Sequence, residues 1–315
     1  MRKLTLRYGE NPHQKDSFVH FEKNNNSPLK NLKKLVGREL SYVNFTDISS
    51  GLETVRMFNE PAAVVIKHNS PSGIALGKNS EEALRRAVAA DPVSAFGGVV
   101  VMNSPIDEKT AKAFTDFKAS RVQMDIVAAP SVTREAQKII NWVRKTTGIY
   151  TFGKIPKKRS NKNHLKFFDG GYVSQFWDDN VEKSFKDWKV VSKVKPTKQQ
   201  VKQMRMAWKF IMRIRSNSII VVDRILPITR GIGSGQTARV FSTEIALKHA
   251  GKFAKGGILA SDSFFPFPDS VELAAKFKIG AIVQQGGSMN DQAAIEAADK
   301  AGIPMVFTYR RAFWH

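Results

Sequence analysis

The sequence predicts an α/β fold, and two observations support this prediction. Short apolar runs with the character of buried strands alternate with amphipathic segments of helical spacing. Clusters of glycine and proline separate these segments, as expected for turns between strands and helices. With 315 residues, 42% of them hydrophobic, the chain can bury a core without disulfide bonds or metal ions.

Three apolar runs in the first half are predicted to be buried strands. They are Ala62 to Ile66, the run GGVVVM that begins at Gly97, and the run from Met124 to Pro130. The first run leads into NSPSG, residues 69–73, which we expect to be a loop because it contains proline and glycine.

Helices are predicted from apolar periodicity and from capping residues. The segment LSYVNFTDISSGLETVRMF has helical spacing, and EEALRRAVAA follows Asn79, with Glu82 placed as in a capping box. In the second half, PTKQQVKQMRMAWKFIMRI is a long amphipathic segment with Pro196 near its start.

The second half is predicted to repeat the element order of the first. Ser218 to Val222 is a strand, GIGSGQTARV is a Gly-rich turn that opens a helix, and GGILASDSFFPF is a strand with an aromatic loop. The stretch 153–166 is basic, polar and contains proline, so we interpret it as the connection. We therefore predict two units, residues 1–155 and 165–315, with an approximate boundary.

The charge balance narrows the possible partners. Lys and Arg number 50 and Asp and Glu number 28, a formal net charge of +22, which attracts polyanions. Nucleic acid, a phosphorylated nucleotide and a polyglutamated cofactor remain open, beside a lysine-rich surface without a specific partner. The absence of cysteine excludes disulfides, thiolate metal sites and a cysteine nucleophile. Because neither a secretory signal nor a membrane-spanning apolar run is visible, we expect a cytoplasmic protein.

Lys67 and His68 end a predicted buried strand, and strand ends are where open α/β sheets place ligands. A histidine can move a proton at neutral pH, and an adjacent lysine can stabilise developing negative charge. Because successive strand residues point to opposite faces, both side chains reach one substrate only if the backbone is irregular there. The alternative is a solvated lysine beside a hydrogen-bonded structural histidine.

Two further segments are candidate ligand sites. Gly231 to Arg239 follows a strand and opens a helix, so its backbone N–H groups could approach an anion while Arg239 binds phosphate. The alternative is a tight turn that requires glycine. Asp262 to Asp269 has three phenylalanines between two acids, which suits a planar heterocycle or, alternatively, a core-packing loop.

Basic and aromatic residues at the two ends of the chain are a further candidate. Arg310, Arg311 and Phe313 could pair with an anion and stack on a ring, and Arg7 with Tyr8 could do the same. A frayed basic tail is the alternative interpretation. The six histidines show no ligand spacing, so we expect no metal site.

Taken together, these motifs resemble the transformylase domain of the AICAR transformylase/IMP cyclohydrolase family, where AICAR is 5-aminoimidazole-4-carboxamide ribonucleotide. The resemblance extends from the first ten residues to the last and is poorest from about Arg134 to Lys166. The matching segments, in family order, are LRYGENPHQ, LSYVNFTDISS, VIKHNSPSG, DPVSAFGG, RSNSIIVV, GIGSGQTARV, SDSFFPFPDS, QQGGSMND and RRAFWH.

The resemblance implies a formyltransferase of purine biosynthesis. Family members transfer a formyl group from 10-formyltetrahydrofolate to the 5-amino group of AICAR, giving FAICAR. The family is homodimeric, with sites shared across the interface. The implied fold is a duplicated cytidine deaminase-like α/β unit, with mixed sheets flanked by helices and without zinc.

The resemblance also assigns roles to matched positions. The implied catalytic residues are His68 as general base, Lys67 for the oxyanion, and Asn217, which holds the reacting region of the substrate. The implied AICAR-binding residues are Arg7, Tyr8, Gly97, Asp125, Arg239, Phe264, Arg311 and Phe313. The implied folate-side residues are Val240, Asp269, Ser288 and Met289. Asp125 is expected to serve the partner's site.

Two departures from the family pattern qualify what the resemblance implies. The cyclohydrolase domain has no counterpart in this sequence, so a separate protein is expected to close the ring. Pro268 stands where the family commonly has arginine, which leaves open a divergent member with another formyl donor, or one that binds AICAR without turnover. A basic nucleic-acid-binding protein is the remaining alternative, although helix-turn-helix, RNP and zinc-finger patterns are absent from the sequence.

Overall fold

The computed structural model describes residues 2–23, 25–159, 161 and 163–315. The strands are β1 (Arg2–Thr5), β2 (Phe18–Phe21), β3 (Lys33–Val36), β4 (Ala62–Lys67), β5 (Ser70–Leu76), β6 (Val99–Met102), β7 (Ile126–Ala129), β8 (Gly148–Thr151), β9 (Asn163–Phe168), β10 (Gly171–Phe176), β11 (Lys189–Val190), β12 (Ile219–Val222), β13 (Thr229–Gly233), β14 (Ile258–Ser261), β15 (Ala281–Gln284) and β16 (Met305–Phe307). The helices are α1 (Tyr42–Val55), α2 (Ser80–Ala90), α3 (Pro92–Ala95), α4 (Glu108–Ala119), α5 (Arg134–Val143), α6 (Lys198–Ile211), α7 (Arg239–Ala250), α8 (Asp269–Lys276) and α9 (Asp291–Lys300). The predicted α/β class is confirmed.

Two six-stranded mixed sheets organise these elements. Their strand orders are β3-β8-β7-β6-β4-β5 and β11-β16-β15-β14-β12-β13. In each sheet an antiparallel hairpin forms one edge, three parallel strands form the middle, and an antiparallel strand forms the other edge. The two sheets therefore share one pattern of order and direction.

The inner strands of both sheets are almost entirely apolar because helices cover both faces of each sheet. The four residues of β6, of β7 and of β12 are all buried. These are the runs that the sequence analysis assigned to strands, and their buried positions confirm the assignment.

A shared core joins the two halves. Ile48 and Leu52 of α1 belong to the same buried cluster as Trp208 and Phe210 of α6, together with inward-facing residues of both sheets. Each sheet has a second apolar cluster on its opposite face. The two sheets therefore pack around a layer of helices that they have in common.

The predicted helices begin at capping residues. Ser41 caps α1 and Thr197 caps α6, and in both cases the third helical residue completes a capping box. The Asn79 side chain accepts a hydrogen bond from the Glu82 N–H at 2.9 Å and so caps α2. The capping box expected there is incomplete, because the Glu82 carboxylate accepts from the Lys78 N–H at 2.6 Å.

The edge strands β5 and β13 lie side by side in opposite directions and connect the sheets. Ala75 forms an antiparallel bridge with Ile228. The Thr229 hydroxyl accepts a hydrogen bond from the Ile74 N–H at 3.0 Å. At the other end of β5, the hydroxyls of Ser70 and Ser234 lie 3.4 Å apart. We call this junction the seam.

The expected loop at residues 69–73 is wrong, because Ser70–Leu76 is strand β5. Proline is tolerated there since β5 is an edge strand of its sheet. Glycine is required at position 73 since a Cβ would lie 2.1 Å from the Ala87 carbonyl oxygen of α2. Glycine and proline therefore mark close packing at this point and not a chain turn.

The hairpin of β9 and β10 was missed by the sequence analysis, which placed a connection across residues 153–166. Asp169 and Gly170 join the two strands, and Gly170 has a φ of +83°. Asp-Gly between alternating apolar residues is a strong hairpin signal and could have revealed it. None of the helices in the described part of the chain has the length and apolar character needed to cross a bilayer.

Candidate functional site

A cavity of about 660 Å³ opens at the seam, and we call it the seam cavity. Lys67, His68 and Ser70 line it from the first half, and Ser234 and Gln236 line it from the second. The predicted lysine–histidine pair therefore faces one space. Clefts at such junctions between structural units are common places for small-molecule sites.

A two-residue turn brings the pair into the cavity. His68 and Asn69 connect β4 to β5 and have φ values of +56° and +60°. Both are in the left-handed region, as in type I′ hairpin turns, which costs a non-glycine residue about 1–2 kcal/mol. The turn redirects His68, so the regular strand alternation that would separate it from Lys67 ends here. His68 is exposed and Lys67 is half-buried.

Asp47 holds this turn from behind. It lies in α1 and is 4% exposed, and its carboxylate accepts a hydrogen bond from the Asn69 N–H at 2.6 Å. Burial raises the pKa of Asp47, against the opposing effects of the Asn69 hydrogen bond and the His68 charge. Asp47 was not predicted as a site residue from the sequence. An acid beside the apolar residues Ile48 and Leu52 of α1 was the available signal.

Lys67 lies along one edge of the first sheet with two other predicted site residues. Its ammonium group donates to the Phe96 carbonyl oxygen at 2.8 Å, directly before Gly97. The Asp125 N–H donates to the Gly98 carbonyl oxygen at 2.9 Å, so Asp125 follows along the same edge.

Gly97 and Asp125, which lie along this edge with Lys67, have different surroundings. Gly97 has a φ of +73°, and a Cβ there would meet no atom within 4 Å. The Asp125 carboxylate forms ion pairs with Arg38 and Arg144, which compensate its charge. Neither Gly97 nor Asp125 lines the seam cavity.

Asn217 lies two residues before β12 and is hydrogen-bonded to the Gln236 segment. Its side-chain amide donates to the carbonyl oxygens of Gln236 and Thr237 at 3.0 and 3.1 Å. Its side-chain oxygen accepts from Arg239 at 2.8 Å. These bonds fix both ends of the amide against the segment that lines the cavity.

Arg239 is buried, with 8% exposure, and its guanidinium is already paired. It forms an ion pair with Asp262, which is fully buried, and donates to the Ser261 hydroxyl at 3.0 Å. Asp262 in turn accepts from the Ser218 N–H at 2.9 Å. In this arrangement Arg239 orients Asn217, and its predicted phosphate contact stays a prediction.

Two glycines of the Gly-rich segment, Gly231 and Gly233, allow a strand to pack closely against a helix. The expectation that they form a phosphate-binding turn is wrong. Gly231 and Gly233 belong to β13, where a Cβ would lie 1.9 Å from the Ala246 carbonyl oxygen and 2.0 Å from that of Ser242. Both contacts are with α7, so the strand approaches the helix too closely for any side chain. Gly235, with a φ of +69°, is the glycine that turns the chain.

The predicted folate-side residues come from the loop before α9 and from the first turns of α7 and α8. The Asn290 side chain donates to the Pro266 carbonyl oxygen at 2.9 Å, which ties the loop of Ser288 and Met289 to the loop before Asp269. Met289 is fully exposed. Val240 is half-buried in the first turn of α7.

The phenylalanine loop divides between core and surface. Phe265 is fully buried, Phe264 is half-buried and Phe267 is 59% exposed. The alternative interpretation as a core-packing loop therefore holds for Phe265 only.

Of the basic residues at the chain ends, Arg7 and Arg311 are exposed and close to an aromatic ring, whereas Arg310 is half-buried and forms an ion pair with Asp178. The guanidinium carbons of Arg311 and Arg7 each lie 4.6 Å from a ring centroid, of Phe313 and Tyr8 respectively. Arg311 also approaches the Gln285 side-chain oxygen at 3.4 Å, which places it beside the loop of Ser288.

The second-half residues share one edge of their sheet. Ile219 pairs with Gly233 and with Ser261, so the start of β12 lies at the ends of β13 and β14. Asn217 lies just before β12, whereas Arg239 and Phe264 lie beyond the ends of β13 and β14. It is the carboxyl edge of the parallel strands, where α/β sheets usually bind ligands.

Of the predicted site residues in the described part of the chain, the lysine–histidine pair lines the seam cavity, whereas the others lie outside its lining. Lys67 and His68 line the cavity directly, and Asn217 supports its wall. Arg230 and His249 also line it, although the sequence analysis did not single them out. Within the described residues, no group of three histidine, aspartate or glutamate side chains could hold a metal ion.

Comparison with known proteins decides the family. The sequence profile described as AICARFT/IMPCHase bienzyme matches residues 1–249. The chain belongs to this family. The family expected from the sequence motifs is confirmed.

Three similar proteins carry the name bifunctional purine biosynthesis protein PurH. The protein of Oceanobacillus iheyensis is 41% identical over 310 residues, covering 98% of this chain and 59% of that protein. Those of Thermoanaerobacter sp. and Shouchella clausii are 41% and 40% identical, covering 98% and 99% of this chain and 58% and 59% of their own lengths. The chain therefore spans about three-fifths of the relatives that it matches.

Proposed function

We propose that this chain is an AICAR formyltransferase of purine biosynthesis, which transfers a formyl group from 10-formyltetrahydrofolate to AICAR. The observation that carries the proposal is the convergence of Lys67 and His68 on the seam cavity. Membership of the family and the purine-biosynthesis name of its relatives support the choice of substrates.

The reaction needs a base because the AICAR amine is a poor nucleophile whose lone pair is delocalised into the ring. In the proposed mechanism His68 accepts a proton as the amine nitrogen attacks the formyl carbon. The Lys67 ammonium stabilises the oxyanion of the tetrahedral intermediate. The bond between the formyl carbon and N10 of the folate then breaks, and the proton from His68 passes to N10. Protons and charges therefore balance across the transfer.

We propose that the remaining residues bind the two substrates. Asn217, held by Arg239, positions the reacting region of AICAR. The exposed Arg7 and Arg311, each beside a ring, provide contacts for its phosphate. The other AICAR residues are Tyr8, Gly97, Asp125, Phe264 and Phe313. The folate side is formed by Val240, Asp269, Ser288 and Met289.

We also propose that the enzyme is a cytoplasmic homodimer of duplicated cytidine deaminase-like units, residues 1–155 and 165–315. The matching strand orders of the two sheets support the duplication. Asp125 lies away from the lining of the seam cavity, which is consistent with service to the partner's site.

The proposal is tested by incubating the protein with AICAR and 10-formyltetrahydrofolate. Release of tetrahydrofolate is followed by absorbance, and FAICAR is identified by mass spectrometry. We expect both products in equal amounts. AICAR binding by calorimetry without product would contradict transfer from this donor and would direct attention to Pro268.

A further inference from the structure

A second cavity, of about 540 Å³, lies at the opposite end of the seam. Leu76, the last residue of β5, lines it, whereas Ser70, the first residue, lines the seam cavity. A seven-residue strand separates the two by about 20 Å at 3.4 Å per residue. We call this second cavity the basic cleft. It is too distant to share a small ligand with the seam cavity.

The floor of the basic cleft is apolar and comes from both halves. Phe58 and Leu76 belong to the first half, and Phe185 and Ile225 to the second. The Leu76 N–H donates to the Pro227 carbonyl oxygen at 2.9 Å, which fixes the two sides to each other. Ile225 is 61% exposed, so apolar surface is open to a ligand.

The rim of the basic cleft has an excess of positive charge. Among the described residues that line it, five are lysine or arginine, whereas Glu60 is the single carboxylate. Glu82 and Glu182 form ion pairs with Arg86 and Lys209 of the rim.

Three rim cations remain without a carboxylate partner among the described residues: Lys78, Lys202 and Arg205. Lys202 and Arg205 are exposed on α6, three residues apart and hence on one helix face. The Arg205 guanidinium carbon lies 5.4 Å from the Phe185 ring centroid, so a cation and an aromatic face are presented together.

We propose that the basic cleft binds a small anion that carries an aromatic ring. The ring packs against Phe185 and Ile225, and its phosphate or carboxylate pairs with Lys202 and Arg205. Such a ligand touches both halves of the chain and therefore stabilises the seam on binding. The proposal does not rest on the proposed formyl transfer, because the two cavities share no lining residue.

The test uses 8-anilinonaphthalene-1-sulfonate, a fluorescent anion with aromatic rings, titrated into the folded protein. The cleft variant is Lys202→Glu with Arg205→Glu, and a second variant, Ile225→Asp, changes the floor at an exposed position. The matched control is Lys138→Glu with Lys145→Glu, which makes the same charge change at exposed lysines outside the cleft.

We expect dye binding about tenfold weaker or more in the cleft variant, a change of about 1.4 kcal/mol, and unchanged binding in the control. Ile225→Asp should weaken it as well. Equal dye affinity in the wild type and the cleft variant would overturn the proposal. Circular dichroism of each variant establishes that it is folded.

Competition distinguishes the two sources of the anion. AMP carries a phosphate and 4-aminobenzoate a carboxylate, and displacement of the dye by either supports the proposal and identifies the preferred group. Adenosine has the ring without the charge and should not displace the dye. Displacement by adenosine as strong as that by AMP would overturn the role of the cations.

Discussion

Among single residues, the proposed role of His68 as the base depends on what holds the turn formed by His68 and Asn69. Both residues adopt left-handed backbone conformations, and the buried carboxylate of Asp47 accepts the Asn69 N–H. Strained turns persist where the surroundings fix them, and they often occur at functional sites. In the proposed mechanism Asp47 is therefore a positioning residue, which acts through the turn that contains His68.

The raised pKa of Asp47 leads to a prediction about stability and pH. Burial lifts its folded-state pKa above the ordinary 3.8, so the folded protein holds this proton more tightly than the unfolded chain. Stability from this group is thus fully present below pH 3.8 and is lost as the pH rises through the raised pKa. Asp47→Asn cannot ionise, so its stability relative to wild type should be greater at pH 7 than at pH 4.

Denaturant unfolding of both proteins at the two pH values measures this difference. A constant difference between Asp47→Asn and wild type would contradict the raised pKa. The amide in the Asp47→Asn variant keeps an oxygen for the Asn69 N–H, whereas Asp47→Ala removes it. Turnover should therefore fall further in the alanine variant, with kcat more affected than KM.

Among the secondary-structure elements, the same packing arrangement occurs in both halves: a glycine-containing edge strand lies against a helix. Gly73 of β5 approaches α2, and Gly231 and Gly233 of β13 approach α7, each within 2.1 Å or less of a helix carbonyl oxygen if a Cβ were added. Gly73, Gly231 and Gly233 therefore have the sequence pattern of ligand-binding loops although they lie in strands. Sequence periodicity alone contains no information on how near a helix lies.

Substitution of these glycines separates the packing role from a ligand role. Gly233→Ala would place a Cβ 2.0 Å from the Ser242 carbonyl oxygen, so we expect a loss of about 3 kcal/mol or more of unfolding free energy. Gly235→Ala is the control, because its nearest neighbour would lie 3.9 Å away and the left-handed φ alone costs about 1–2 kcal/mol. Urea unfolding gives both values. A smaller loss at Gly233 than at Gly235 would contradict the packing explanation.

Much of the architecture could be predicted from the sequence. Buried strands such as β6 and β12 are continuous apolar runs, and helix starts such as Ser41 and Thr197 are capping residues, so both are visible locally. The family motifs identified the position of Lys67 and His68. An acid on the apolar side of α1 is visible for Asp47, but its contact with Asn69 depends on tertiary packing that local sequence does not specify.

For the molecule as a whole, the seam holds the two sheets in register and so fixes the two sides of the seam cavity. The Thr229 hydroxyl is buried, accepts from the Ile74 N–H at 3.0 Å and donates to the Ile74 carbonyl oxygen at 3.3 Å. These bonds cross between the halves. Since Ser70 lies at the other end of β5 and Ser234 directly follows β13, a shift at Thr229 would also move the seam cavity.

Thr229→Val tests this connection with little change in shape. The variant leaves two buried backbone groups of Ile74 without a partner, and we expect a loss of about 1–3 kcal/mol of unfolding free energy. Thr229→Ser retains the hydroxyl and should be closer to wild type. Denaturant titration of the three proteins gives the comparison, and a Thr229→Val protein as stable as wild type would contradict the importance of these bonds.

In the proposed mechanism, Lys67 and His68 catalyse formyl transfer in the seam cavity. The most direct measurement is the initial rate of tetrahydrofolate release from AICAR and 10-formyltetrahydrofolate by wild type and His68→Ala. His20→Ala serves as the matched control, since His20 is exposed on β2 and outside the seam cavity. We expect kcat to fall by a factor of about 10²–10⁴ in His68→Ala and to equal that of wild type in His20→Ala. Equal rates in all three proteins would contradict the assignment of His68 as the base.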